Sequence, residues 1–279
     1  MMKEKGSILI FTLWVLIILT ILSVILSHRV STDVKLAKYE SDSIKATYLA
    51  RAGVMKMIAE LASDNNDYDS LNEEWSEPDK SFEFGKGKVF YGAYDESSRL
   101  NLNADVEGEK GEEYKNRLDL LGVNLPAEAV LEYRKGKEFE FMEELFLIDE
   151  VTSDIYLALK DFVTIHRGTE SKVNINTASE KVLKAILGED SLVQVVLGIR
   201  DGVGLDDIEG TEDDGAFTSI GSISSYDGDE TKIDSSLFTV DSGFFRIWAK
   251  ASFSEDEEIV KSIEAVVSKQ GEILHWKEY

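Results

Sequence analysis

Residues 7–26, SILIFTLWVLIILTILSVIL, run for twenty positions without a charge. At 1.5 Å per residue a helix of that length covers about 30 Å, the hydrocarbon thickness of a bilayer. A transmembrane helix is therefore predicted over 7–26. A secretory signal removed at its C-terminal end fits less well: the charged leader abuts the run, the run is long for such a signal, and no A-x-A-like site follows it. Past the run, Val30, Val34, Ala37, Ser41, Ile44, Tyr48, Ala52, Met55, Ala59 and Ala62 recur at steps of three and four, with Asp33, Lys35, Lys38, Asp42 and Lys45 elsewhere. That spacing puts them on one helical face. No Pro interrupts residues 7–62, and Gly53 is the one Gly there. The pattern predicts a single helix over 7–62, half in lipid and half amphipathic, whose distal stripe packs on the chain's own domain.

The pattern then changes. Residues 63–81 are polar, contain Pro78, and predict a loop. Phe82-Glu83-Phe84 and Lys88 to Tyr94 predict a hairpin across Gly85-Lys86-Gly87. A near-repeat follows: Arg99-Leu100-Asn101-Leu102-Asn103-Ala104 and Lys172-Val173-Asn174-Ile175-Asn176-Thr177-Ala178 share a basic–apolar–Asn–apolar–Asn order. The second copy runs into Thr177-Ala178-Ser179-Glu180, which reads as a capping box ahead of a helix carrying Val182, Leu183, Ala185, Ile186 and Leu187 and ending near Gly188. Leu118-Leu121, Ala129-Leu131, Phe141-Leu147 and Ile155-Phe162 predict further short helices, so 106–197 reads as a helical domain inserted between strands. Phe244–Phe253 and Ile259–Ser268 predict two strands joined by the acidic turn Ser254-Glu255-Asp256-Glu257-Glu258. The fold class expected is α+β: a long N-terminal transmembrane and amphipathic helix on an antiparallel sheet, with an inserted all-helical domain. The divisions expected are a leader at 1–6, the helix at 7–62, an α+β domain from 63–105 and 198–279, and the insert at 106–197.

Charge narrows the function classes. The net charge is −24; residues 1–28 contribute +1, leaving −25 on the rest. So acidic a surface repels phosphate backbones, and nucleic acid is not an expected partner. There is no Cys, hence no disulfide and no thiolate chemistry, and His28, His166 and His275 lie too far apart in sequence to suggest metal ligation. No nucleophile elbow, phosphate loop or paired-His motif is present, and the chain reads as non-enzymatic. Metal-dependent hydrolysis by some of its many carboxylates is the one enzymatic alternative. Lys3 and Lys5 stand on one side of the apolar run and Arg29, Lys35 and Lys38 on the other, so positive charge does not fix its orientation.

Residues 201–230 hold ten Asp or Glu and no Lys or Arg, centred on Leu205-Asp206-Asp207-Ile208-Glu209-Gly210-Thr211-Glu212-Asp213-Asp214-Gly215-Ala216-Phe217. Hard oxygen ligands among glycines suit Ca²⁺, although the spacing is not that of an EF-hand. A solvated acidic loop is the equally weighted alternative from these residues alone.

The leader Met1-Met2-Lys3-Glu4-Lys5-Gly6 followed by Ser7 resembles the site cut by prepilin peptidase, after the Gly of a short basic leader. With Leu13-Trp14-Val15-Leu16 in the run, Ala50-Arg51-Ala52-Gly53-Val54 at the helix's far end and Ile273-Leu274-His275-Trp276-Lys277-Glu278 at the C-terminus, the chain resembles the minor pseudopilin K family of type II secretion from leader to end. The match is weakest at 63–81 and 106–140. The resemblance implies a pilin-like fold, cleavage between Gly6 and Ser7 with N-methylation of the new terminus, and anchoring in the inner membrane with the C-terminal domain in the periplasm. It also implies a tip complex with I- and J-type minor pseudopilins, in support of protein export. Phe11 stands fifth after the cut, where most pilins and pseudopilins carry Glu. A carboxylate there costs about 2.5–3.5 kcal/mol unless paired with the amine of a subunit above, so Phe11 suits a filament tip. The acidic stretch resembles the family's G-T-x-D-D calcium loop, which makes Asp206, Thr211, Glu212, Asp213 and Asp214 the candidate ligands. Asp207 stands where the family often has Gly. Glu143-Glu144-Leu145 to Val163-Thr164-Ile165, and Val173 to Ala178, also resemble helix-hairpin-helix modules, which raises the alternative of a DNA-uptake pilin component. Glu143, Glu144, Asp149, Glu150, Asp154 and Asp161 surround that hairpin and oppose it.

Overall fold

A computed structural model describes residues 4–78, 80–202, 215–225, 227–228, 231–253 and 260–279. One uninterrupted helix, α1 (Glu4–Ser63), opens the chain. The hairpin forms where expected: β1 (Lys80–Phe84) and β2 (Gly87–Asp95) join through Gly85, whose φ of +62° a glycine adopts without strain. The long C-terminal strands are β9 (Phe244–Phe253) and β10 (Val260–Ser268), and the final segment adds β11 (Ile273–Glu278), a strand beyond the two expected. All five form an antiparallel sheet in the order β1-β2-β9-β10-β11.

The second half of α1 lies on one face of this sheet. Leu49, Ala50, Val54, Met57 and Leu61 bury against Val89, Tyr91, Ile247, Ala249, Ala251, Ile263, Ala265 and Val267. Period-two alternation in the strands supplies one wall and three/four spacing in the helix supplies the other. Helix and sheet approach closely at Gly53, where a Cβ would stand 2.8 Å from Val89 Cγ1 and 3.0 Å from Ala249 Cβ. A side chain there would force helix and sheet apart.

Between β2 and β9 the chain leaves the sheet and comes back beside its point of exit, since Asp95 pairs in register with Phe245. The excursion builds β3 (Leu100–Asn101), α2 (Glu109–Leu120), α3 (Ala127–Gly136), α4 (Ser153–Leu159), β4 (Val163–Thr164), β5 (Val173–Asn174), α5 (Glu180–Leu187), α6 (Asp190–Arg200), α7 (Ile220–Ser225), the small hairpin β6 (Asp227–Gly228) and β7 (Thr231–Lys232), and β8 (Phe238–Thr239). The stretch at 141–147, expected as a helix, is a 3-10 turn over Met142–Leu147. The excursion has its own core, running from Leu100 to Val240 and including Phe217, Ile223, Ile233 and Phe238. The helical domain thus extends well past the 106–197 expected, and residues on both sides of the acidic stretch belong to it rather than to the sheet domain.

The near-repeat is a structural repeat. In both copies the first Asn accepts a hydrogen bond from the backbone N–H of the second: Asn103 N to Asn101 Oδ1 at 2.9 Å, and Asn176 N to Asn174 Oδ1 at 3.0 Å. In both, the second Asn clasps the backbone of a distant Phe. Asn103 pairs with the N–H and carbonyl of Phe139 at 2.8 and 2.9 Å, and Asn176 with those of Phe217 at 2.7 and 2.9 Å. An Arg ending the second helix of each copy returns to the same turn: Arg134 donates to the Asn103 carbonyl and Arg200 to the Ala178 carbonyl. Each copy closes with a parallel two-residue pairing, β3 with β4 and β5 with β8. The copies differ between that Arg and its Phe: four residues separate Arg134 from Phe139, and sixteen, the acidic stretch among them, separate Arg200 from Phe217.

Candidate functional site

Three features can carry function: the free surface of α1, the junction where the helical domain is tied to the sheet, and the acidic stretch. The apolar side chains of α1 from Ile8 to Leu26 are exposed, and the helix is long and apolar enough to cross a membrane. Gly6 and Ser7 lie in its first turns, and Phe11 is 70% exposed on it. Beyond the apolar run the stripe does not behave as expected. The distal face turned to the sheet carries Asp42, Ala46, Leu49, Ala50, Val54, Met57 and Leu61, while Ile44 (58% exposed), Tyr48 (65%), Ala52, Met55 and Ala59 point away from it. With Val30 and Val34, both exposed on the same side of the helix, they form a second apolar surface that continues the membrane segment outward. An unburied stripe of this extent marks an interaction surface.

Two of the sequence motifs meet. Ala50, Gly53 and Val54 face the sheet, while Arg51 turns outward and donates from Nη2 to Glu278 Oε1 at 2.8 Å. Trp276 Nε1 reaches the same oxygen at 2.9 Å. The last strand is thereby fastened along the helix. Both side chains are exposed to solvent, so the pair's own contribution is small. Glu60 is held more firmly, receiving Lys56 at 2.6 Å, Lys80 at 2.8 Å and the Tyr91 hydroxyl at 2.9 Å.

The junction centres on Asp95, at the end of β2. Its Oδ1 accepts from Ser97 N (2.6 Å), and its Oδ2 from Thr177 Oγ1 (2.5 Å), Ser242 Oγ (2.6 Å) and Asn174 Nδ2 (3.1 Å). Thr177, expected in a capping box, is thus engaged elsewhere; the cap of α5 is Ser179, whose Oγ accepts from Val182 N. Ser242 N donates to Asp69 Oδ2 at 2.7 Å, and Asp69 Oδ1 receives Lys269 Nζ at 2.8 Å. One hydrogen-bonded cluster therefore joins the loop after α1, the end of β2, the second Asn repeat, the approach to β9 and the β10–β11 turn. Burial pushes the Asp95 carboxyl up, and pushes Asp69 up to about 6 although Lys269 and Ser242 oppose it. Both folded-state values exceed the unfolded ones, so for these two groups stability falls as pH rises, for Asp69 up to about 6. Beside them, burial raises Glu96, but Arg99 and Arg246 more than offset it, and its net shift is downward.

The candidate ligands Asp206, Thr211, Glu212, Asp213 and Asp214 lie outside the described residues. The residues bracketing them are anchored. Arg200, before them, donates to Ile175 and Ala178 carbonyls; Gly215, after them, accepts from Asn72 Nδ2 at 3.0 Å. The donor set, hard carboxylates with a hydroxyl, suits Ca²⁺. Among the described residues Asp64, Asp69 and Glu73 bring carboxylate oxygens together. The Lys269 ammonium, 3.1 Å from Asp64 and 2.8 Å from Asp69, already meets that charge.

No family model matches the chain, and no curated protein matches it. Among solved structures, it is similar to a chain of the GspK-GspI-GspJ complex from the enterotoxigenic Escherichia coli type 2 secretion system. The TM-score is 0.58 at 15% sequence identity, over 90% of this chain and 99% of that one. At that identity the likeness is one of fold, a pilin-like α+β architecture that in this chain consists of a long N-terminal helix and an antiparallel sheet with further helices.

Proposed function

We propose that this chain is a non-enzymatic minor pseudopilin of a type II secretion system. In this reading residues 7–26 anchor it in the inner membrane, the C-terminal domain stands in the periplasm, and the subunit sits at the filament tip with I- and J-type partners, supporting protein export. The observation that carries the reading is the free apolar stripe from Val30 to Met55, which extends the membrane helix on the side away from its own sheet. The architecture shared with a chain of a GspK-GspI-GspJ complex supports it, and so does Phe11, which offers no carboxylate to a subunit above. The insert, larger than the sequence suggests, makes a subunit too bulky to repeat along a thin filament. Crosslinking from Cys placed at Ile44 or Tyr48 tests the reading.

Calcium belongs to the same proposal. Ca²⁺ held by Asp206, Thr211, Glu212, Asp213 and Asp214 would cross-link the stretch between Arg200 and Phe217 and so stabilise the second repeat unit. Binding to the folded state alone raises stability with ligand concentration. The detergent-solubilised protein is expected to melt at a higher temperature in millimolar Ca²⁺ than in EGTA. Mg²⁺, which demands tight octahedral geometry, substitutes poorly. Asp213→Ala removes most of the shift, and Glu255→Ala, in the separate acidic run 254–258 of the sequence, leaves it. An equal shift with Mg²⁺ that survives Asp213→Ala would mean general screening of an acidic surface.

A further inference from the structure

We propose that the outer face of the five-stranded sheet, the one turned away from α1, docks an acidic polypeptide segment. The helical domain stands over the end of this face that carries Arg246, Val266 and His275, and the end nearer the β1–β2 hairpin is uncovered. Phe90, Tyr94 and Lys250 are exposed on it, Tyr94 at 56%, and Trp248 is half-buried. The register makes these residues neighbours: Lys250 lies opposite Phe90, Trp248 opposite Gly92, and Arg246 opposite Tyr94. Gly92 leaves the indole room to lie down on the strand, since a Cβ there would come within 3.0 Å of Trp248 Nε1 and Cζ2. The result is a run of three rings with cations beside it, the composition of interface centres, where Trp, Tyr and Arg dominate.

Charge selects the occupant. The chain carries −24, yet among the described residues the outward positions of the sheet hold Lys88, Arg246, Lys250 and Lys277 against Glu83 and Glu264. Arg246 is paired with Glu96 at 2.5 Å and Glu264 at 3.1 Å, and Lys277 with Glu143 at 3.5 Å, which leaves Lys88 and Lys250. Lys88 stands 4.6 Å over the Phe90 ring, and neither it nor Lys250 has a carboxylate partner among the described residues. These are the cations an incoming carboxylate can pair with. They alternate with rings along the strands, a spacing suited to an extended chain, which presents side chains to one face about every 6.6 Å. A lipid or nucleic-acid surface calls instead for contiguous basic residues. The occupant is thus a polypeptide whose Asp or Glu residues alternate with aromatic or aliphatic ones.

The test uses the full chain in nanodiscs of zwitterionic lipid, with a fluorescent Glu–Tyr copolymer as probe and a Lys–Tyr copolymer as its charge-reversed counterpart. Saturable binding of the Glu–Tyr copolymer is expected, weakened by salt and reduced about tenfold or more by Trp248→Ala and by the pair Lys88→Glu, Lys250→Glu. These side chains are outward-facing, so the variants should keep the parent's melting temperature; if Trp248→Ala does not, the lysine pair decides alone. Equal binding of the two copolymers, no binding, or unchanged binding in the variants overturns the proposal. So does binding only to anionic vesicles, which would make the face a membrane contact, or self-association abolished by the same variants, which would make its occupant a second copy.

Discussion

Asp95→Ala is expected to cost about 3–5 kcal/mol, because four buried donors lose their shared acceptor at once. Three side chains from two segments, Asn174 and Thr177 of the second repeat and Ser242 before β9, lose an acceptor in a buried place, and the Ser97 N–H loses its cap. Each buried group left unsatisfied costs about 1–3 kcal/mol, and the relief of the carboxylate's own burial offsets only part of the sum. For a folded part of this size that corresponds to a melting temperature lower by roughly 6–15 °C. Asp95→Asn keeps the shape and one acceptor oxygen and should cost about half as much. Because the cluster ties the helical domain to the sheet, the variant should also be cut by protease near residues 64–73 and 241–243 sooner than the parent. A loss below about 1 kcal/mol with unchanged proteolysis would mean the two bodies are held together elsewhere.

Gly6→Leu is expected to abolish processing altogether. Under the proposed function the mature chain begins at Ser7, and the peptidase requires a small residue before the cut. The parent extracted from membranes should have an intact mass starting at Ser7, raised by one methyl group if the new amine is methylated. The variant should keep the whole leader and stay in the membrane without entering a filament. A parent chain that starts at Met1, or one cut beyond residue 26, contradicts the assignment, because removal of the apolar run would make it a secretory signal.

The elements with strong periods were legible: α1, the β1–β2 hairpin, β9, β10 and the helix ending at Gly188 all follow from spacing and turn residues. Which face of α1 is buried was not. Both faces of its distal half carry large apolar residues at three- and four-residue steps, Leu49, Met57 and Leu61 inside and Ile44, Tyr48 and Met55 outside. A face meant for another subunit satisfies the same pattern as a face meant for the core, so periodicity alone does not distinguish them. The full extent of the insert was hidden because its closing pairings are two residues long, too short for alternation to register. The Asn-x-Asn repeat was visible as a pattern, yet its chemistry depends on Phe139 and Phe217, thirty-six and forty-one residues away. Asp95 gave no signal at all: an acidic residue at a strand end reads as a turn, and only the meeting of five segments makes it a hub.

The proposed place of this chain in an assembly rests on the free stripe of α1. The chain has no native cysteine, so a single Cys at Ile44 or Tyr48 supplies a unique crosslinking handle on an exposed position. With the full-length chain in its native membrane, short crosslinkers at these sites are expected to trap the I- and J-type minor pseudopilins. Cys at Ala46, on the buried face, should trap neither. Crosslinks from Ile44 and Tyr48 mainly to the major pseudopilin along the whole filament would contradict the tip assignment, and equal yields from Ala46 would contradict the use of this helix face.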